Sequence, residues 1–284
     1  MVFEKVNENL YSLIDESYYD TISCAIVLPS RLIMVDSGIH VPNMKKFRKH
    51  VEGETNKKFD TLILTHHYSD HVMGNQVFSD CTIIATKTVA QKLKNWKKDM
   101  TPEKLERRKE TLTDKSAFDG LEITIPTETF DDYMGIVDED IKLVIKRTGG
   151  HTKGSTSVYC PKYRFLIAGD NLLSNFPPYG ADPSSNPDVW INTLKEYLTL
   201  DVEKFIPGHG EVSTDKLVNY MIGVIEEMRD FIKEQISLGK TKEEVQEAGY
   251  AKNFYPIEDD DSFEASAMWY TLSNWHKFWG GKKN

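Results

Sequence analysis

The sequence contains little cysteine, no long apolar run and no excess of basic charge. Its three cysteines, Cys24, Cys81 and Cys160, are far apart and odd in number, which argues against a disulfide framework and against a thiolate metal site. No run of about 18 apolar residues is present, so no membrane-spanning helix is expected. With 35 basic and 44 acidic side chains, the net charge is −9, whereas a general nucleic-acid binder carries a basic surface.

The remaining absences concern processing and organisation. The first residues lack the apolar core of a secretory signal, and unpaired cysteines suit a reducing compartment, so a cytoplasmic protein with neither a membrane nor a nucleic-acid partner is expected. No internal repeat and no low-complexity tract interrupts the chain. Its 284 residues are sufficient for one large domain with a buried core.

Short apolar runs separated by turn residues alternate with helical patterns, which predicts an α/β layered fold. Strands are predicted at Asn9–Asp15, Ile22–Leu28, Leu32–Val35, Thr61–Leu64, Cys81–Ala85, Ile123–Ile125, Lys142–Lys146, Ser155–Tyr159, Phe165–Ala168 and Lys204–Ile206. Helices are predicted from Pro42 to about Val51, near Asp70, and at Pro187–Leu200.

Residues 88–116 break this alternation and are rich in lysine and arginine. Their helical propensity, with Pro102 at a helix start, predicts an inserted helical hairpin. Two interpretations of its charge remain open. The hairpin either holds an anionic substrate, such as a phosphate or a coenzyme A tail, or presents a solvated face, and the second interpretation is favoured.

From Asp215 onward the chain is predicted to be almost entirely helical. No linker rich in proline, glycine or serine separates residues 1–212 from residues 213–284, so the second segment is expected to be a helical appendage packed on the first. Its aromatic residues are interpreted mainly as core, with a pocket lid or a homodimer interface as further roles. The last helix has one apolar face, formed by Met268, Leu272, Trp275 and Trp279.

The eight histidines are placed unevenly. Four loops, each at the C-terminal end of a predicted strand, carry imidazole or carboxylate: residues 66–71, 149–152, 169–170 and 207–210. Loops in this position converge at one edge of a layered sheet, where sites are usually built. His40, His50 and His276 lack this context and are interpreted as surface or core residues.

Imidazole and carboxylate without thiolate form a ligand set for zinc, iron or manganese. In the first loop, extended geometry places His66 and Tyr68 on one side and turns His67 away. Asp70 and His71, at the start of a helix, can point back to the same place. The candidate metal ligands are therefore His66, Asp70, His71, His151, Asp170 and His209.

At these loops the sequence resembles the metallo-β-lactamase superfamily. The matching segments, in the family's order, are Asp36-Ser37-Gly38, Thr65–Asn75, Gly150–Gly154, Gly169-Asp170 and Pro207–Gly210. The resemblance implies an αββα sandwich with a two-metal site along its edge. It also implies hydrolysis by a metal-bridging hydroxide, with Zn as the expected ion and Fe or Mn as alternatives.

The resemblance further assigns each ligand to one of two sites. The expected ligands are His66 and His151 for site one, Asp70, His71 and His209 for site two, and Asp170 as the bridge between them. Asp36 is expected to support a ligand or to end a strand rather than to bind metal. The family has a second histidine where this chain has Tyr68, so site one loses an imidazole and is expected to bind metal more weakly.

Two interpretations of Tyr68 remain open. Its hydroxyl donates to the oxyanion formed during hydrolysis, or the substitution is drift that leaves site one weak. Asp70 is the expected catalytic partner, because it can hold the attacking water and pass a proton to the leaving group.

A bridging Asp170, rather than a cysteine ligand, is similar to the glyoxalase-II-like and lactonase-like branches of the family. This likeness implies a metal-dependent hydrolase of a small ester, thioester or lactone. The alternatives are an iron-binding redox enzyme of the same fold and a non-catalytic binding protein with a decayed metal site. A nuclease of the superfamily is disfavoured by the acidic charge.

Overall fold

A computed structural model describes residues 1–110, 112–252, 254–257, 259 and 262–280. The strands are β1 (Val2–Asn7), β2 (Leu10–Asp15), β3 (Thr21–Val27), β4 (Leu32–Val35), β5 (Phe59–Ile63), β6 (Thr82–Thr86), β7 (Glu128–Phe130), β8 (Tyr133–Asp138), β9 (Ile141–Arg147), β10 (Thr156–Cys160), β11 (Phe165–Leu173) and β12 (Lys204–His209). The helices are α1 (Val41–Thr55), α2 (Ser69–Val72), α3 (Lys87–Asp99), α4 (Pro102–Lys109), α5 (Pro187–Tyr197), α6 (Asp215–Ser237), α7 (Lys242–Lys252) and α8 (Phe263–Gly280).

The strands form one mixed sheet that folds into two facing halves. Its order is β7-β6-β5-β4-β3-β12-β11-β10-β9-β8, with β1 and β2 added beside β3. Strands β4 to β7 pair in parallel, as do β11 and β12, and the other pairs are antiparallel. The two halves meet where β12 pairs with β3, through His209 and Thr21.

Three apolar layers hold the fold together. Between the two halves of the sheet, side chains such as Ile33 of β4 and Ile145 of β9 share one buried cluster. On the outer face of the first half, α1 and α3 pack through residues that include Phe47. On the outer face of the second half, α5, α6 and α8 pack around Trp190 and Met228. Helices therefore cover both outer faces, which confirms the predicted αββα sandwich.

The predicted elements are present except around residue 125. The predicted strand at Ile123–Ile125 is wrong, because these residues adopt no regular structure and β7 begins later, at Glu128. Pro126 explains the difference, since it has no N–H to donate to the ladder and restricts the residue before it. Pairing with β6 starts only after the proline, where Thr127 N donates to Ile83 O at 2.9 Å. Strands β1 and β8 were not predicted.

The insertion is a helical hairpin, as predicted. Thr86 and Thr101 cap α3 and α4 by accepting from backbone N–H groups, and Pro102 occupies the first turn of α4. Helix α3 buries Val89 and Leu93 against the sheet, whereas α4 has no buried residue. Throughout the described residues, no helix combines the length and the apolarity needed to cross a membrane.

The apolar face predicted for the last helix lies in the core. Met268, Leu272 and Trp275 are fully buried, and Trp279 packs partly buried beside them. The Trp275 ring meets the Trp190 ring edge to face at 6.2 Å. This contact ties α8 to α5, although the division into residues 1–212 and 213–284 stays a prediction.

Replacing Trp275 with alanine should lower the free energy of unfolding by about 3–5 kcal/mol, because a fully buried indole leaves a cavity. Trp269→Ala is the matched control, since Trp269 lies on the same helix but is 37% exposed. Urea unfolding of the two variants measures the difference. Equal losses in both variants would show that α8 does not depend on the Trp275 contact.

Candidate metal centre

The side chains predicted as ligands lie together at one edge of the sandwich. Asp170 belongs to β11, His209 ends β12, and the other ligand candidates follow β5 and β9. Within each of two groups the ligand atoms lie within 4.8 Å of one another. The groups are His66 with His151 and Asp170, and Asp70 with His71 and His209.

Asp170 lies between the two groups. Its Oδ1 is 3.1 Å from Nε2 of His71, and its Oδ2 is 3.4 Å from Nε2 of His66. The same Oδ2 is 3.6 Å from Nε2 of both His151 and His209. One carboxylate therefore faces imidazoles of both groups, which is the arrangement of a bridging ligand.

The residue beside this carboxylate has to be glycine. A Cβ at Gly208 would lie 1.9 Å from Oδ1 of Asp170, far inside contact distance. The Pro-Gly-His sequence at the end of β12 thus serves two purposes: it delivers His209 and leaves room for Asp170.

Several of these atoms are buried without a hydrogen-bond partner. Among the described residues they include Nε2 of His66, His71 and His151, and Oδ1 of Asp170. The short distance between Asp170 and His71 does not have hydrogen-bond geometry. Because buried polar atoms are nearly always partnered, a group of unsatisfied atoms aimed at one point calls for an explanation. A divalent cation satisfies lone pairs of this kind, so the donor set fits a metal ion.

The opposite nitrogen of each imidazole is anchored. Nδ1 of His151 donates to Tyr179 O at 2.7 Å, and Nδ1 of His209 donates to Tyr19 O at 2.7 Å. These bonds fix the ring orientation and leave Nε2 as the free lone pair, as in metal-binding histidines.

Asp36 anchors the other two rings. Its carboxylate accepts from Nδ1 of His71 at 2.9 Å and from Thr65, whose N and Oγ1 are at 2.7 and 2.6 Å. Thr65 Oγ1 in turn lies 3.0 Å from Nδ1 of His66. Asp36 has a φ of 58°, a conformation that costs energy for a residue other than glycine. Although Asp36 is also within ligand distance of His66 and His71, its engaged oxygens support the expected anchoring role.

The two groups of ligand candidates differ in the pKa values of their imidazoles. Burial opposes protonation of His71 and His209, but Asp170 and Asp70 outweigh it, raising the pKa of His71 well above normal and that of His209 to about 9. Burial prevails for His66 and His151, whose pKa values fall, in His151 to about 4. Near neutral pH without metal, protons on His71 and His209 therefore balance the two buried carboxylates.

The neighbours of His66 in the first loop also lie as the extended geometry predicts. His67 turns away from the ligand candidates, and its Nε2 lies 3.4 Å from Oδ2 of Asp182. The Tyr68 ring lies 5.1 Å from the His66 ring and 5.0 Å from the His151 ring. Tyr68 thus stands beside both site-one candidates.

The three histidines interpreted as unrelated to the site are confirmed in that role. Nδ1 of His40 accepts from Asn43 N at 3.3 Å and so caps α1. His50 is exposed on α1. His276 Nε2 lies 3.2 Å from Lys240 O on the C-terminal helices.

A cavity of about 330 Å³ opens onto Asp70, Asp170 and His209. Its walls are mainly aromatic and come from distant parts of the chain: Tyr18, Tyr19, Tyr68, Trp96, Phe176, Tyr179 and Phe263. Arg108 of the insertion supplies a cation. The sequence analysis missed Tyr19 and Phe263, whose ring centroids lie 4.2 Å apart. No local pattern indicates a contact between the β2–β3 loop, which contains Tyr19, and helix α8, which begins at Phe263. The basic composition of the insertion was the only signal for Arg108.

A family model for the metallo-beta-lactamase superfamily matches residues 20–209. The Caenorhabditis elegans protein "Beta-lactamase-like protein 2 homolog" is 25% identical over 221 residues, which cover 76% of this chain and 64% of the relative. The match thus spans less than two thirds of that relative's length.

Solved structures share the fold. A metallo-beta-lactamase from Pontibacter korlensis superposes with a TM-score of 0.63 at 12% identity, covering 79% of this chain and 98% of the other. The DIM-1 metallo-beta-lactamase gives a TM-score of 0.61 at 18% identity, covering 80% and 97%. At these identities the likeness establishes the common architecture alone.

Asp36→Asn should lower the affinity for divalent metal by about 10- to 100-fold, because an amide cannot replace the carboxylate that orients the rings of His66 and His71. Competition with a chromogenic chelator measures the affinity. The matched control is Asp138→Asn, which changes another buried carboxylate that accepts from Ser30 N and Oγ. Equal affinities in the two variants would refute the anchoring role.

Proposed function

The chain belongs to the metallo-beta-lactamase superfamily, and we propose that it is a metal-dependent hydrolase that cleaves a small ester, thioester or lactone. The observation that carries the proposal is the set of unsatisfied Nε2 atoms that face Asp170 inside the protein. In a site that no longer bound metal, nothing would favour four imidazoles that are each held at Nδ1 with Nε2 directed inward.

We assign the ligands to two ions. His66 and His151 would hold the first ion, Asp70, His71 and His209 would hold the second, and Asp170 would serve both. Zinc is the proposed ion because nitrogen and oxygen ligands in this number suit it, and iron and manganese are the alternatives. Iron would support redox chemistry in the same ligand set, so metal analysis of the purified protein separates the two functions.

Bound divalent metal supplies a hydroxide near neutral pH and polarises the scissile carbonyl. The residues around it position the reaction. Asp70 Oδ2 lies 3.2 Å from Nε2 of His209 and 3.4 Å from Nε2 of His71. Burial raises the pKa of Asp70, but the two histidines outweigh burial and hold it well below its usual range. Asp70 is thus ionised in the metal-free protein, and its carboxylate can accept a hydrogen bond from the attacking water and orient it.

Tyr68 is proposed as a donor to the developing oxyanion. Burial, reinforced by Asp182 and Tyr179, raises the pKa of Tyr68 well above its usual value, so the hydroxyl keeps its proton in the metal-free protein. A neutral phenol beside His66 and His151 can donate a hydrogen bond where negative charge develops.

The cavity supports a small substrate. Its volume of about 330 Å³ is at the lower end of the range for ligand sites, and its aromatic walls suit an apolar acyl or ring group. The ester, thioester or lactone bond would lie at Asp70 and Asp170, with the acyl or ring group against the aromatic side chains of Tyr179 and Phe263.

Removing two site-two imidazoles tests the whole assignment. His71→Ala with His209→Ala should eliminate one equivalent of metal and abolish hydrolysis, whereas the control, His50→Ala with His276→Ala, should keep both. Elemental analysis measures the metal content. Full metal content in the site-two variant would contradict the assignment.

Stepwise chelation of the unmodified protein should release one equivalent of metal before the other. The reason is that site one has only two imidazoles and the shared Asp170, whereas site two has Asp70, His71 and His209 in addition to the shared Asp170. Elemental analysis after each chelation step measures the metal that remains.

Tyr68→Phe should lower kcat by about 10²–10³ with little change in stability, because it deletes one oxyanion donor and keeps the ring. Tyr68→His should restore the family's ligand set and tighten site one. Steady-state kinetics and metal titration of the two variants provide the measurements. Unchanged kcat in Tyr68→Phe, together with a faster Tyr68→His enzyme, would favour drift instead.

A further inference from the structure

Two cavities adjoin at the insertion. The cavity over the metal centre has Trp96 and Arg108 in its wall. A second cavity, of about 580 Å³, is lined by Trp96, Asp99, Met100, Lys104, Arg107 and Arg108. Because the same indole and guanidinium line both cavities, the second cavity begins where the first one ends. We call it the basic groove.

Trp96 connects the ligand loop to this groove. Its ring lies 6.4 Å from the ring of His67, the neighbour of the ligand candidate His66. On the other side, the guanidinium carbon of Arg108 lies 5.2 Å from the indole centroid. Trp96 is held in place by α3, whose Leu93 is buried in the core. The residue at the junction of the two cavities is therefore carried by a helix that is anchored in the core.

The groove is positive in a protein that is negative overall. Lys104, Arg107 and Arg108 line it against one carboxylate, Asp99, whereas the net charge of the chain is −9. In the part of the chain that the structure describes, the side chains of Lys104 and Arg107 have no carboxylate within ion-pair distance. Helix α4 buries no residue, so the side chains of Lys104 and Arg107 are accessible to a ligand. This argues for a ligand rather than for a merely solvated hairpin.

We propose that the basic groove binds the phosphate-bearing leaving group of an acyl thioester, of the coenzyme A type, whose thioester bond lies at the metal centre. The inference rests on the proposed function and specifies its substrate class. In the reaction, water forms the C–O bond of the carboxylic acid, the C–S bond breaks, and the thiol leaves with a proton. Arginine and lysine recognise phosphate, and Trp96 holds the Arg108 guanidinium at the junction of the two cavities.

The test compares three thioesters with one acyl group: the coenzyme A thioester, the phosphopantetheine thioester and the N-acetylcysteamine thioester, which has no phosphate. The expected kcat/KM is highest for the phosphate-bearing substrates, and the preference should weaken with added salt. Preference for coenzyme A over phosphopantetheine identifies the nucleotide as the recognised part, and equal rates identify the single phosphate. No preference over N-acetylcysteamine would overturn the inference and leave the proposed function standing.

Variants locate the preference. Lys104→Gln with Arg107→Gln should reduce the coenzyme A to N-acetylcysteamine ratio of kcat/KM by roughly fivefold or more, since each charged contact contributes severalfold. Lys94→Gln, an exposed lysine of α3 outside both cavities, should keep the ratio. An unchanged ratio in the double variant would overturn the groove assignment.

A binding measurement is independent of turnover. Adenosine 3′,5′-bisphosphate should bind the metal-free protein in calorimetry, and the double variant should bind it several times more weakly. Absence of binding to the unmodified protein would refute a nucleotide in the groove. If none of the three thioesters were hydrolysed and simple esters and lactones were also inert, the proposed function would fail and the inference would fail with it.

Discussion

Asp70 and Asp170 are buried close together, and the residues around them have to compensate the charge of these two carboxylates. Two carboxylates at 7% and 4% exposure are costly unless positive charge compensates them. Without metal, protonated His71 and His209 provide that charge, as their raised pKa values indicate. Divalent cations would compensate it more fully and would also satisfy the unpartnered Nε2 atoms. Either protons on the histidines or bound metal ions can therefore balance the two buried carboxylates.

The position of the site follows from how the sheet closes. The two halves join through the pairing of Thr21 with His209, and one group of ligand candidates combines Asp70 and His71 from the first half with His209 from the second. A shift between the halves would move His209 and Asp170 relative to His66 and His71. The apolar layer between the halves, which includes Ile33 and Ile145, thus determines the ligand geometry as well as the stability.

The cavity over the candidate metal centre depends on segments outside the sandwich. Trp96 and Arg108 come from the inserted hairpin, and Phe263 comes from the C-terminal helices. The sandwich positions the ligand candidates, while these additions shape the cavity beside them. This division explains why a common fold accommodates different substrates, since the added segments can vary without disturbing the ligand loops.

The local sequence determined the α/β layering, the hairpin at 88–116 and the position of every ligand candidate at a strand end, because strand ends, helix caps and histidine-bearing loops are short-range features. The αββα sandwich itself was expected from the resemblance to the family. Prediction failed at Ile123–Ile125, where the missing N–H of Pro126 outweighed the apolar pattern. Only the tertiary structure decided which groups are protonated, how Asp36 orients the rings of His66 and His71, and that Phe263 and Arg108 face one cavity. Those properties depend on distances between residues far apart in the chain, and neither composition nor spacing encodes such distances.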